Sequence, residues 1–558
     1  MKKFTFLIIA LLFGAISYSQ VAPDKYYIQF TDKSNSPYSI NNPEEFLTQR
    51  AIDRRAKYNI DITEQDLPVN QSYIDGVAAT GADLLFSTKW MNGITIYTTS
   101  SSVIQDILSL PYVESSTKLL DRENPGKKEY LLSEGTGEHY SPENLKSTNS
   151  EFSMGYGAAS NQIEQLNGVL LHDEGFKGEG MVIAVLDGGF EAVDTHPLFD
   201  SLWNNNRILG TKDFVHPGGS VFNESGHGRM VLSCMGADKD GLMIGTAPKA
   251  SYWLLRSEYV VTENVLEEYN WVCAAEFADS VGADVINSSL GYVDFDNADW
   301  NHSHDDLNGS TAVVTIGADI AVNKGIMVVN SAGNDGSNSW FPWVGAPADG
   351  FNVFTIGAVT ADGFRAGFSS IGPTGDNRIK PLVMSQGQGA ALADGDDGVT
   401  YNNGTSFSSP IMAGMTACLM QAYPNKTPLE IQESLKQSGD HSSSPDNDYG
   451  WGIPDFMAAY SILTTVELGD NNKSDLAYVY PNPFTKDFTL RLDLDKPQNV
   501  KLSLMDVNGR LIFSQEFLSS DNENQLAISD QISDLTKGVY FLTISSSTKY
   551  EVKRLVKN

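Results

Sequence analysis

The sequence predicts a central α/β domain built on a mostly parallel sheet, with a small α+β domain before it and an antiparallel β-sandwich after it. Three observations predict this. Between residues 155 and 465, short apolar runs at 182–186, 251–255, 285–288, 327–330 and 353–358 alternate with helical stretches at 264–280, 318–324 and 428–437. Strands buried on both faces and joined by crossover helices read this way. From residue 476 the period changes to two: Phe488, Leu490, Leu492 and Leu494, then Val500, Leu502 and Leu504, then Tyr540, Leu542 and Ile544 alternate with polar residues, as half-buried antiparallel strands do. Two polar stretches, 121–154 and 466–475, separate these regions as linkers.

The first elements concern export. Met1-Lys2-Lys3 precedes an apolar stretch at 4–16 that is too short to span a bilayer, and Ser17-Tyr18-Ser19 follows with small residues at 17 and 19. Residues 1–19 are therefore expected to be a secretory signal, cut before Gln20. Residues 20–120 contain two alternating runs, Tyr26-Tyr27-Ile28-Gln29-Phe30 and Asn92-Gly93-Ile94-Thr95-Ile96-Tyr97, a helical stretch at 102–110 and a closing strand at 111–114. The stretch 121–154 carries Pro125-Gly126 and Gly135-Thr136-Gly137 and reads as an exposed segment open to cleavage.

The whole chain has 558 residues, too many for one core, with 38 basic against 70 acidic residues and a net charge of −32. That balance excludes nucleic acid and anionic membrane surfaces as partners. Three cysteines, Cys234, Cys273 and Cys418, are too few for a disulfide framework. Buried free thiols are expected, with one bridge left open.

The chemistry lies in the central region. Asn403-Gly404-Thr405-Ser406 opens an apolar, small-residue run at 411–422. Ser406 thus falls on the first turn of a buried helix, where unpaired N–H groups and the positive dipole end suit a developing oxyanion. A serine needs a base, and the base needs an orienting group. Asp187-Gly188-Gly189 ends the apolar run at 182–186, placing a carboxylate at a strand's C-terminal edge, and Ser225-Gly226-His227-Gly228 opens another helix.

This chain order, Asp then His then Ser, with each motif in its context, resembles the subtilisin-like serine peptidases (the subtilase family). The resemblance covers about residues 155–463. It implies Asp187, His227 and Ser406 as the catalytic residues. In the motif Ser331-Ala332-Gly333-Asn334-Asp335 it implies the Asn334 amide as one oxyanion donor, with the Ser406 backbone N–H as the other. Ser289, Leu290 and Gly291 would pair with substrate main chain, opposite Ala332 and Gly333. Residues 20–120 resemble the family's inhibitory propeptide. Residues 476–558 resemble the sorting domain read by the type IX secretion machinery of Gram-negative bacteria: Tyr478-Val479-Tyr480-Pro481-Asn482-Pro483-Phe484 opens it, Asp506-Val507-Asn508-Gly509-Arg510 signals a hairpin, and Lys553-Arg554-Leu555-Val556-Lys557 ends it.

The expected protein is thus a zymogen of a secreted or surface-attached endopeptidase, with peptide substrates, its own propeptide and the secretion machinery as partners. No cofactor is required. Structural calcium would draw on Asp238-Lys239-Asp240, Asp294-Phe295-Asp296 or Asp394-Gly395-Asp396-Asp397. His302 and His304 are expected in a solvated loop rather than in a metal site. Two departures from the family pattern stand out: Gly188 replaces the usual Ser or Thr after the aspartate, and Arg229 the usual Thr after His-Gly. A silent peptide binder, and an esterase or amidase on the same three residues, are the competing readings.

Overall fold

The structure is a computed structural model. It describes residues 24–120 and 154–469, and in the C-terminal region residues 477–480, 484–492, 499–506, 510–519, 525–529, 532, 535–546 and 550–557. The expected signal at 1–19 and nearly all of the 121–154 linker lie outside the described residues.

Seven parallel strands form the central sheet, in the order Val383–Gln386, Phe354–Val359, Met327–Ser331, Val285–Ser288, Val182–Asp187, Ser251–Arg256, Ile208–Asp213. The central strands Val182–Asp187, Val285–Ser288, Met327–Ser331 and Phe354–Val359 are buried along their whole length, because crossover helices cover both faces. Helix Thr405–Ala422 packs with Ile183, Val185, Val329 and Ile356 on one face; helices Leu266–Ser280 and Val313–Asn323 cover the other through Trp271, Ala275, Ala318 and Val322. All strand ends that carry motif residues therefore emerge on one edge of the sheet.

The N-terminal domain is a four-stranded antiparallel sheet, ordered Asp83–Thr88, Gly93–Tyr97, Lys25–Phe30, Val113–Leu120, with helices Gln49–Tyr58, Gln71–Ala78 and Ser101–Leu108. The C-terminal region forms two antiparallel sheets, of three and four strands, closed over Leu490, Leu502, Leu504, Leu542 and Ile544. Strands Asn499–Asp506 and Leu511–Leu518 pair across the expected hairpin. One sequence expectation needs correction: helix Phe456–Gly469 continues through the first part of the expected 466–475 linker. All three cysteines are free and buried, as expected, and the bridge left open does not form.

The N-terminal domain docks on helix Leu266–Ser280 through buried charge. The Glu276 carboxylate accepts from the backbone N–H of Lys89 at 2.8 Å and of Trp90 at 2.9 Å. Asp279, with no solvent exposure, binds Arg54, Arg55 and Lys89, while Asp66 binds Arg55 and Lys324. Burial alone would raise the Asp279 carboxyl, but Lys89, Arg54 and Arg55 outweigh it and hold the group below its ordinary range. Burial pushes Glu276 the other way, up to about 7, against Lys89 and the two N–H donors.

Removing one member of a buried ion network leaves its partners unpaired, at about 3–5 kcal/mol. Asp279→Asn is therefore expected to weaken binding of the separated N-terminal domain to the central domain by about 100-fold or more, read as the dissociation constant. The pH dependence has two limbs. The Asp279 contribution is present above its ordinary value of 3.8 and is lost as pH falls through its lowered value in the complex. The Glu276 contribution is full below 4.5 and is lost as pH rises through about 7. Affinity between the two domains should thus be greatest in mildly acid solution, and a monotonic profile between pH 3 and 8 would contradict this pairing.

Candidate active site

Asp187 ends the strand between Val285–Ser288 and Ser251–Arg256 and has no solvent exposure. Both of its carboxylate oxygens lie 2.9 Å from Nδ1 of His227. The Gly188 N–H donates to Oδ1 at 2.8 Å. An acceptor on that side places the imidazole proton on Nδ1 and leaves Nε2 as the basic nitrogen. His227 is the first residue of helix His227–Gly236, and its N–H donates to Ser225 Oγ at 3.1 Å.

The glycines around both residues are there for close approach. Gly189 has φ of +152°, and a Cβ on it would stand 2.7 Å from the Ser225 nitrogen. A Cβ on Gly228 would stand 2.3 Å from the Gly189 carbonyl oxygen, to which the Gly228 N–H donates at 3.0 Å. The turn after Asp187 and the start of the His227 helix are thus packed backbone to backbone.

Ser406 is the second residue of helix Thr405–Ala422. Pro410 sits inside this helix and has no N–H for the Ser406 carbonyl. The Ser289 hydroxyl takes that role, donating to Ser406 O at 2.8 Å. In return the Ser406 hydroxyl donates to Ser289 O at 3.4 Å, a long contact. Among the described residues Ser406 Oγ makes no hydrogen bond to His227, and His227 Nε2 makes none at all. The ring of Phe407, the next residue, lies 6.0 Å from the imidazole between centroids.

Asn334 stands beside the Ser406 helix. Its Oδ1 accepts from the N–H of Thr405 at 2.9 Å and from Thr405 Oγ1 at 3.0 Å. Two donors on the oxygen fix the amide flip, and Nδ2 is left without a partner among the described residues. Of the two segments expected to flank a substrate, Leu290 O is taken by Asn330 Nδ2 at 3.0 Å. The N–H and C=O of Gly291 have no partner among the described residues. Gly333 donates its N–H to Thr405 Oγ1 and accepts at its C=O from Ser370 N–H, and Ala332 packs with Val344 and Ala348 in a buried apolar patch.

The remaining candidates are settled by their contacts. His302 is not a solvated loop residue: it pairs with Glu268 at 2.6 Å, and burial lowers its basicity less than that carboxylate raises it. His304 stacks on Trp343 at 4.0 Å. Arg229 is nearly buried and donates to the Glu191 carbonyl at 2.8 Å. The acidic segments are engaged internally: Asp238 by Ser201 and Lys249, Asp240 by Gly155, Asp294 by Asn301, Asp394 by the N–H groups of Asp396 and Gly398. Among the described residues no three His, Cys, Asp or Glu side chains are grouped to hold a metal ion.

The sequence reading missed four residues. Thr405 orients Asn334, and Ser225 holds the His227 backbone. Arg256 and Glu258 lie buried beside Asp187. Burial, with Asp187 adding to it, pushes Glu258 up to about 7 although Ser257 and Tyr292 donate to it. A charged residue closing an apolar strand, as in Ser251-Tyr252-Trp253-Leu254-Leu255-Arg256, was the available signal.

Three family profiles match the chain. The profile described as the subtilase family matches residues 178–452, that of the peptidase S8 propeptide domain of Bacteroidota residues 25–130, and that of the secretion system C-terminal sorting domain residues 478–558. Subtilisin of Bacillus pumilus is 30% identical over 302 residues, covering 53% of this chain and 97% of that protein. Subtilisin NAT of Bacillus subtilis subsp. natto is likewise 30% identical over 302 residues, 53% of this chain and 70% of its own. The propeptide and sorting profiles mark a secreted or surface-attached product of a Gram-negative bacterium, and among the described residues no helix is long and apolar enough to cross a membrane. The chain belongs to the subtilase family: it is a serine endopeptidase made with its own propeptide and carrying a type IX secretion sorting domain.

Proposed function

We propose that Ser406 is the nucleophile, His227 its general base and Asp187 the group that orients the imidazole. The observation that carries this reading is the seating of His227 Nδ1 on both Asp187 oxygens, which turns Nε2 toward the cleft as an acceptor. In the free enzyme the Ser406 hydroxyl rests on Ser289 O. A substrate strand laid along Ser289, Leu290 and Gly291 brings an N–H that competes for that carbonyl. The hydroxyl then turns to His227 Nε2, as catalytic contacts commonly tighten only when substrate is bound. Oγ attacks the scissile carbonyl carbon, its proton passes to Nε2, and the tetrahedral oxyanion forms between Asn334 Nδ2 and the Ser406 N–H. Collapse expels the amine, which takes the proton from His227; water repeats the sequence on the acyl-enzyme. Ala332 and Gly333 form the opposite wall.

Every step uses these side chains and water, and no cofactor is required. A structural calcium ion would have to displace the bonds that now satisfy Asp238, Asp294 and Asp394. A silent peptide binder would have no use for an oriented imidazole or a free amide fixed at Asn334. Hydrolysis of casein against a simple ester separates the endopeptidase from an esterase or amidase.

A serine-directed fluorophosphonate should label the processed protein and leave Ser406→Ala unlabelled; equal labelling of both would remove Ser406 from its role. Asn334→Ala should keep KM within about threefold and lose about 100- to 1,000-fold in kcat, the usual loss for one oxyanion donor. Normal turnover by that variant would place the oxyanion elsewhere.

A further inference from the structure

We infer that Arg256 is a positioning residue for the Asp187–His227 pair, holding in one rigid fork the two turns that present them. Arg256 ends strand Ser251–Arg256 in register with Asp187 on the neighbouring strand, and its side chain is 1% exposed. Its Nε donates to the Gly188 carbonyl at 3.2 Å, and its Nη1 pairs with Asp213 Oδ2 at 3.1 Å. Its Nη2 lies 3.5 Å from Glu224 Oε2, a long ion pair with no hydrogen bond.

Two of the partners sit one or a few residues from the chemistry. Gly188 follows Asp187, and its N–H bonds the carboxylate. Glu224 precedes Ser225, whose hydroxyl receives the His227 N–H. Asp213 is itself pinned, since its Oδ1 accepts from the N–H groups of Val215 and His216 at 2.8 Å each. Two adjacent glycines, Gly188 and Gly189, have the widest backbone freedom of any pair. Here the usual hydroxyl after the aspartate is missing, and a buried guanidinium clamps the carbonyl of the same residue instead. The planar fork matters: a lysine ammonium could meet Asp213 but not reach all three directions at once. Glu258, two residues further on, is a further charge that interacts with Arg256.

The claim rests on the triad reading above and is tested on the full-length, self-processed enzyme, with active sites counted by fluorophosphonate titration. Arg256→Lys should lower kcat per active site by about 10- to 100-fold, as a displacement near 1 Å does. KM should stay within about twofold. The low-field proton resonance of the His227–Asp187 hydrogen bond should move or broaden. Glu224→Gln, an isosteric change at a side chain 38% exposed, should shift the same resonance and lower kcat by about threefold. Unchanged kcat and an unmoved resonance in Glu224→Gln and Arg256→Lys would overturn the inference, as would a fall in melting temperature with kcat per site intact. If Arg256→Lys does not fold, Glu224→Gln decides alone by the same two readouts. Ser406→Ala separates the two claims: turnover near that of the unaltered enzyme there sinks the triad, whereas a loss of several orders of magnitude in Ser406→Ala beside a fully active Arg256→Lys sinks only the positioning role.

Discussion

The grip of Asp187 on Nδ1 of His227 is the contact on which the rest of the site is arranged. It is a fully buried bond between two residues 40 positions apart, so nothing local forms it. It exists because the Asp187 strand lies inside the parallel sheet and the turn that follows it meets the start of the His227 helix with no side chain between the backbones. Burial keeps water from competing for the carboxylate, and the Gly188 N–H satisfies part of what the imidazole leaves.

Ser406 is held by a second set of reciprocal contacts. Pro410 removes one helix bond, and Ser289 fills the gap on the Ser406 carbonyl. Thr405 spends both its N–H and its hydroxyl on the Asn334 oxygen. The helix that carries Ser406 is thereby braced against two strand ends, those that lead into Ser289 and Asn334. Ser406, the segment at Ser289 and the Asn334 amide therefore cannot shift independently, and in the proposed mechanism that preorganisation is the larger part of what an oxyanion site contributes.

Much of this could be read from the residues, and the unread part has physical causes. Strands such as Val182–Asp187 and Val285–Ser288 are apolar throughout because both faces are covered, so their runs stand out. Strand Ile208–Asp213 escaped because it is an edge strand, half exposed, with a register break near Gly210. Helix Gln49–Tyr58 escaped for a different reason: the face it buries includes Arg54 and Arg55, and hydrophobic periodicity has no signal where the buried groups are guanidinium. The three motif residues were legible because glycine and hydroxyl neighbours mark strand ends and helix starts. The direction of the Ser406 hydroxyl was not, since it depends on Ser289, 117 residues away.

The charged seam between the N-terminal domain and helix Leu266–Ser280 makes recognition of the propeptide exclusive. Apolar interfaces tolerate exchange of one greasy residue for another, but Asp279 accepts only a surface that brings cations to the same buried point. A propeptide borrowed from a relative without counterparts of Arg54, Arg55 and Lys89 would strand that carboxylate in the dark of the interface. A substitution of Asp279 or of its three cations on one side of the seam therefore calls for an answering change on the other.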